Sequence, residues 1–323
     1  MPQVAIIGSG LIGRSWAIVF ARGGWDVALY DADPDQSRRA KPLIVAGLAD
    51  LASHGLIDDA AGAIARVRVV PDLAQTVAHA DFVQENLPET VEAKLAIFRE
   101  LDRLAPKDIV LASSTSAIVA SRFTEDLPGR SRCLIAHPVN PPHLVPLVEL
   151  VGAPWTALET ISRARQTYER IGQVPILVRR EIEGFILNRL QGALLAEAFR
   201  LVEEGCVSPQ DLDKTVKDGL GLRWSFLGPF ETIELNAPGG IADYCERYGG
   251  FYRRLQAAPA GPEVFAPERV EQVLAAWGGD ASPERLEARS RWRDQRLAAL
   301  IAHKRSQPTP ADPNSRNQSC GQM

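Results

Sequence analysis

"VAIIGSGLIGRSWAIVFARGGWDVALYD", Val4 to Asp31, is the stretch whose reading decides the fold. Val4–Gly8 is an apolar run of strand length. Gly8, Gly10 and Gly13 follow it, and then Ile12, Trp16, Val19 and Phe20 recur at helical spacing. Gly23-Gly24 can end that helix, and "DVALY" supplies a second strand closed by Asp31. Strand, glycine turn, helix and strand in this order make a dinucleotide site: the glycines permit the tight turn, a close backbone approach to pyrophosphate, and close helix–strand packing. The start of the helix adds free N–H groups and a positive dipole end. Gly8, Gly10, Leu11, Ile12 and Gly13 are therefore the expected cofactor contacts. Asp31 lies 23 residues after Gly8. A carboxylate there accepts hydrogen bonds from a ribose 2′-hydroxyl and repels a 2′-phosphate. The next residues are Ala32 and Asp33 rather than arginine, so NAD is expected over NADP.

Outward from this stretch, strand-like runs continue at Val67–Val70, Asp81–Gln84, Ile109–Ala112, Cys133–His137, Leu147–Val151 and Pro175–Val178. Continuous apolar strands separated by helix-length segments predict a largely parallel sheet covered on both faces. After Glu183 the pattern turns helical. Ile186, Leu190, Leu194 and Leu201 share a helical period, with Gly205 as a stop. Ser208-Pro209 and Ser282-Pro283 read as helix starts. The expected fold is α/β: a Rossmann-like N-terminal domain with a mostly parallel sheet over residues 1–183, then an all-helical domain over 184–305. The polar, turn-rich stretch 306–323 is expected to be a disordered tail.

The composition is that of an ordinary globular chain, 46% apolar and 24% charged over 323 residues, with a net charge of −4. That balance gives no global attraction to nucleic acid or anionic membrane. The last helical stretch, Glu284–Arg305, carries seven basic residues against three acids. A solvated helix or a dimer contact accounts for it better than nucleic acid, and no aromatic stacking platform is expected beside it. Arg14 interrupts the apolar N-terminus, so neither a signal peptide nor a membrane span is expected. Cys133, Cys206, Cys245 and Cys320 are scattered without metal-type spacing. No metal site is expected, and a reducing cytoplasm is the expected location.

A nucleotide site alone performs no reaction. Hydride transfer from an alcohol also needs a base for the hydroxyl proton. Of the five histidines, His137 ends a strand, where such sheets place ligands. In "HPVNPPHLVPLVELV", Glu149 sits in an apolar run and needs a partner if buried. It is either that histidine's partner or an unrelated acid on an edge strand. "SSTS", Ser113–Ser116, follows another strand and reads as a turn or as a hydroxyl offered to a ligand. Asn188 shares a small, polar helix face with Gly184, Gln191 and Gly192, a face that borders either a cleft or solvent.

The glycine turn, "VQENLPETVEAK", "SSTS", "HPVNP", "LVELV" and "GFILNRL" together resemble the 3-hydroxyacyl-CoA dehydrogenase family in order and spacing. "GLGLRWSFLGPFETIELN" and "HPVNPP" resemble its lambda-crystallin, or L-gulonate 3-dehydrogenase, branch more narrowly. The resemblance implies a general acid/base at His137, its partner at Glu149, and Ser116 and Asn188 on the substrate oxygen. It also places Glu89, Lys94, Ser116 and Asn140 around the cofactor, and implies a homodimer formed through the helical domain. The implied reaction is NAD-dependent oxidation of the 3-hydroxyl of a small acid, L-gulonate above all. Arg223 is the candidate partner for the substrate carboxylate. Acyl-CoA and L-carnitine oxidation are the nearest rivals, and a non-catalytic, crystallin-like NAD-binding protein is the rival of another class. The helical insertion before Val70 offers only Arg66 and Arg68 for CoA phosphates, which counts against CoA.

Overall fold

The structure is a computed structural model that describes residues 1–279 and 281–308. Its strands are β1 (Gln3–Ile7), β2 (Asp26–Tyr30), β3 (Val67–Val69), β4 (Phe82–Glu85), β5 (Val110–Ser113), β6 (Cys133–Pro138), β7 (Leu147–Gly152) and β8 (Val174–Val178). They form one sheet in the order β3-β2-β1-β4-β5-β6-β7-β8. Every neighbouring pair is parallel except β6 with β7. All eight strand runs expected from the sequence are present.

Helices α1 (Leu11–Arg22), α2 (Pro34–Ser53), α3 (Ala60–Ala65), α4 (Leu73–Val77), α5 (Val91–Leu104), α6 (Ser121–Thr124) and α7 (Leu158–Arg170) connect these strands. The two-residue period of β1 divides its side chains between two cores. Val4 and Ile6 join Trp16, Phe20, Leu48 and Tyr168 on one face. Ala5 and Ile7 join Phe98, Leu101 and Phe123 on the other. That double burial is why β1 reads as an unbroken apolar run.

Residues Leu187–Arg285 form a second compact unit. It contains α8 (Leu187–Glu203), α9 (Pro209–Lys214), α10 (Gly221–Trp224), α11 (Pro229–Glu234), α12 (Gly240–Leu255) and α13 (Pro267–Trp277). Gly205 has φ 69° just past α8, the left-handed geometry that ends helices. Ser208 caps α9 by accepting from Asp211 N. A π-helical stretch, Thr215–Leu220, leads into α10.

The last helix, α14 (Pro283–Ser306), departs from expectation. From Leu286 onward the chain belongs to the first unit rather than to the helical one. Leu297, Ala298, Ile301 and Ala302 pack on the core that holds α1 and α2. An aromatic residue also stands among its basic residues: the Trp292 ring lies 4.4 Å from the Arg289 guanidinium and 5.6 Å from that of Arg296. The helix's own arginines thus already occupy that ring. From residue 309 on, the expected tail falls outside the described residues. No helix among the described residues is long and apolar enough to cross a membrane.

Candidate active site

The C-terminal ends of β1, β2, β4, β5 and β6 carry the glycine turn, Asp31, Asn86, Ser114 and His137 in that order. At the turn, Gly8 has φ +91°, and a Cβ there would lie 2.9 Å from Asn86 O. A Cβ on Gly13 would lie 1.8 Å from Gly8 O, so only glycine lets α1 close on the strand. Beside Gly10, by contrast, nothing stands within 4 Å. The helix it opens has no side-chain cap and no acid in its first turn. Open space beside uncapped N–H groups is what a pyrophosphate needs. Leu11 is exposed, while Ile12 is partly buried and packs against the core.

Asp31 Oδ2 accepts from Ser9 N at 2.7 Å and Ser9 Oγ at 2.9 Å, and its Oδ1 accepts from Asp33 N at 2.9 Å. The acid therefore also braces the glycine turn. Each carboxylate oxygen can accept more than one bond, so capacity for a ribose hydroxyl remains. These residues fit NAD.

β6 and β7 pair antiparallel in a register that sets His137 directly opposite Glu149. His137 Nδ1 lies 2.7 Å from Glu149 Oε2. An ionised carboxylate only accepts, so Nδ1 carries the hydrogen and Nε2 is left as the acceptor. Glu149 is fully buried, and Oε1 accepts from Ile186 N at 2.9 Å. β7 lies between β6 and β8, which removes the edge-strand alternative. The Phe185 ring lies 5.4 Å from the imidazole. Phe185 has φ 49° and is completely buried. A bulky residue in the left-handed region is strained, and such strain gathers at functional sites.

The serine cluster divides its work. Ser113 Oγ donates to Glu85 Oε2 at 2.5 Å. Ser114 Oγ accepts from Trp16 Nε1 at 2.9 Å and Gln84 Nε2 at 2.7 Å, and donates to Asn86 Oδ1 at 2.7 Å. Tyr168 completes that network by donating to Gln84 Oε1, and burial holds its phenol well above the usual range. Glu89 Oε1 accepts from Thr115 Oγ1, from Ser116 N at 3.0 Å and from Ala117 N at 3.0 Å. Glu89 thus grips the loop that presents Ser116. Asn140 is exposed just beyond β6.

Lys94, which the resemblance puts beside the cofactor, has a side chain that is 1% exposed. Its ammonium donates to Glu85 Oε1 at 2.8 Å, Glu85 Oε2 at 3.1 Å and Leu87 O at 2.8 Å. Through these contacts Lys94 holds the loop after β4. Glu85, Asn86, Gln84 and Phe185 are the residues that sequence reading missed. A buried acid in "DFVQEN" followed nine residues later by a lysine was the available signal for the Glu85–Lys94 pair.

The sequence matches the model of the 3-hydroxyacyl-CoA dehydrogenase NAD binding domain over residues 3–182 and that of the same enzymes' C-terminal domain over residues 184–275. The chain belongs to the 3-hydroxyacyl-CoA dehydrogenase family. Among its curated relatives, a lambda-crystallin homolog of Rattus norvegicus is 44% identical over 303 residues, covering 92% of this chain and 94% of that one. An L-carnitine dehydrogenase of Streptomyces coelicolor is 36% identical, covering 81% and 82%. The crystal structure of an NAD+ dependent dismutase, 5-formyl-3-hydroxy-2-methylpyridine 4-carboxylic acid 5-dehydrogenase, superposes with TM-score 0.84 at 30% identity, covering 95% of this chain and all of that one. As a 3-hydroxyacyl-CoA dehydrogenase family member, the chain carries an NAD-binding Rossmann-like domain and belongs to a group of NAD-dependent hydroxyacyl and hydroxy acid dehydrogenases. In this family member Asn188 lies in the first turn of α8, and Arg223 is exposed on α10.

Proposed function

We propose that the chain oxidises the 3-hydroxyl of a small hydroxy acid, with L-gulonate, giving 3-dehydro-L-gulonate, as the preferred substrate. The observation that carries the reaction type is the buried His137–Glu149 pair, 2.7 Å apart. His137 Nε2 takes the hydroxyl proton, and Glu149 stabilises the imidazolium that forms. Ser116 and Asn188 hold the substrate oxygen as it becomes a carbonyl. NAD, when bound by the Gly8–Gly13 turn, Asp31, Glu89 and Asn140, supplies the hydride acceptor.

The acid substrate rests on different support. The lambda-crystallin relatives match nearly the whole chain. Of the other relatives, one is named for L-carnitine and one for a pyridine 4-carboxylic acid, and neither name is that of a CoA ester. Arg223 is the side chain we assign to the carboxylate, through a two-point guanidinium contact. NAD reduction should be followed with L-gulonate, L-3-hydroxybutyrate, its CoA ester and L-carnitine. L-Gulonate is expected to give the highest kcat/KM. Arg223→Ala should raise KM for the acids by about 10-fold or more, the loss of one charge-assisted contact, and leave a neutral alcohol unaffected. Turnover of the CoA ester alone would overturn the substrate, and equal effects on acid and alcohol would remove Arg223.

A cytoplasmic homodimer belongs to the same proposal. On the helical unit Leu190, Leu222, Phe226, Phe230 and Leu235 are each at least 60% exposed, far more apolar surface than a lone unit usually shows. Sedimentation velocity should give a dimer mass, and a monomer at micromolar concentration would reject it.

A further inference from the structure

At the far end of α1 from the glycine turn, about 18 Å along a 12-residue helix, lies a second cleft of about 460 Å³. Four arginines line it: Arg22 from the last turn of α1, Arg66 at the end of α3, Arg170 at the end of α7 and Arg305 from α14. Asp58 and Asp59 are the acids on its wall. Asp59 is already engaged, accepting from Gly62 N at the start of α3.

Helix C-termini attract cations, and that alone accounts for single arginines at α1, α3 and α7. It does not account for their meeting around one hollow with Arg305 added. Two observations mark the cluster as under-compensated. Arg66 Nε is buried and has no hydrogen-bond partner, a costly state for a guanidinium N–H. Arg22 is pushed down to about 10 by burial and then by the neighbouring charge of Arg305. A bound anion would relieve both, giving the Nε–H an acceptor and separating the like charges by a counter-charge. The volume suits a small molecule and not a macromolecular segment.

We propose that this cleft binds a small multivalent oxyanion through Arg22, Arg66, Arg170 and Arg305. The recognised chemistry is clustered oxygen atoms with two or more negative charges, which guanidinium forks match geometrically. A phosphate and a polycarboxylate both present it. The site is separate from the pyrophosphate turn and independent of the hydroxy acid reading. Arg22 also donates to His143 O at 2.6 Å, so the ligand would lie one guanidinium away from the loop between β6 and β7.

The test is calorimetric titration of the full chain, saturated with NAD so that the glycine turn is filled, with inorganic phosphate and with citrate in a zwitterionic buffer. One saturable site per chain is expected for at least one of the two. Tighter phosphate binding identifies a phosphoryl ligand, and tighter citrate binding a polycarboxylate. Arg66→Gln combined with Arg305→Gln should weaken binding by about 10-fold or more while NAD affinity is unchanged. Arg170→Gln, at the exposed rim, should weaken it as well and does not disturb the buried wall. Absence of saturable binding by both anions, or binding by the rim variant and the double variant as tight as that of the unchanged chain, would overturn the site.

Discussion

Replacing His137 by alanine is expected to lower kcat by about 10²–10⁴-fold, the usual contribution of a positioned general base. NAD affinity should be unchanged, because the imidazole stands on β6 while the glycine turn is built from β1 and α1. Alanine also leaves Glu149 buried without its partner, so the protein will be less stable. His137→Gln separates the two effects. A glutamine amide can donate to Glu149 in place of Nδ1, but it cannot accept a proton at neutral pH. The Gln variant should keep a melting temperature close to that of the unchanged chain and still lose turnover. Near-normal kcat in either variant, with fluorescence titration confirming NAD binding, would remove His137 as the base.

The second large effect is on stability. Lys94→Met leaves Glu85, which is fully buried, without its counter-charge. Removing one partner of a buried pair costs about 3–5 kcal/mol. For a unit of this size that corresponds to a fall of about 10 °C in Tm. Lys94→Met combined with Glu85→Gln should recover most of the loss, because the glutamine stays neutral, its carbonyl oxygen can accept from Leu87 N, and its amide N–H can donate to a rotated Ser113 hydroxyl. Calorimetric melting of the three proteins decides the matter. If Lys94 instead touched NAD, Lys94→Met would weaken NAD binding with little change in Tm, and the double variant would rescue nothing.

These two sites differ in how visible they were in the sequence. The strands were legible because a parallel sheet buried on both faces demands unbroken apolar runs. The glycine turn was legible because Gly8 and Gly13 answer to local steric limits. The His137–Glu149 contact was open as long as the register between β6 and β7 was unknown, since a shift of one residue would have turned Glu149 to the other face. The network around Ser114 was not legible at all. It joins Trp16, Gln84 and Tyr168 across as many as 98 positions of chain, and no local pattern reports such a meeting. Lys94 shows the converse case. Its position in the family pattern implies a ligand contact, while its burial beside Glu85 is seen only once the chain is folded. The last helix was misplaced for a compositional reason: its charge dominates the pattern, and the short stripe Leu297, Ala298, Ile301 and Ala302 that anchors it is easily overlooked.

That stripe bears on the order of synthesis. The unit with the glycine turn is assembled from two separate stretches, Met1–Ile186 and the chain from Leu286 on. A ribosome finishes β8 and must then add roughly 100 residues, about 5–20 s of elongation, before α14 can arrive. Throughout that interval the face of α1 and α2 that will receive Leu297 and Ile301 stays wet, and the nascent Rossmann-like unit waits unfinished. The protein's first-made half is therefore the last to be sealed. Chaperone dwell on this chain should end with the emergence of α14 rather than with the closing of the sheet.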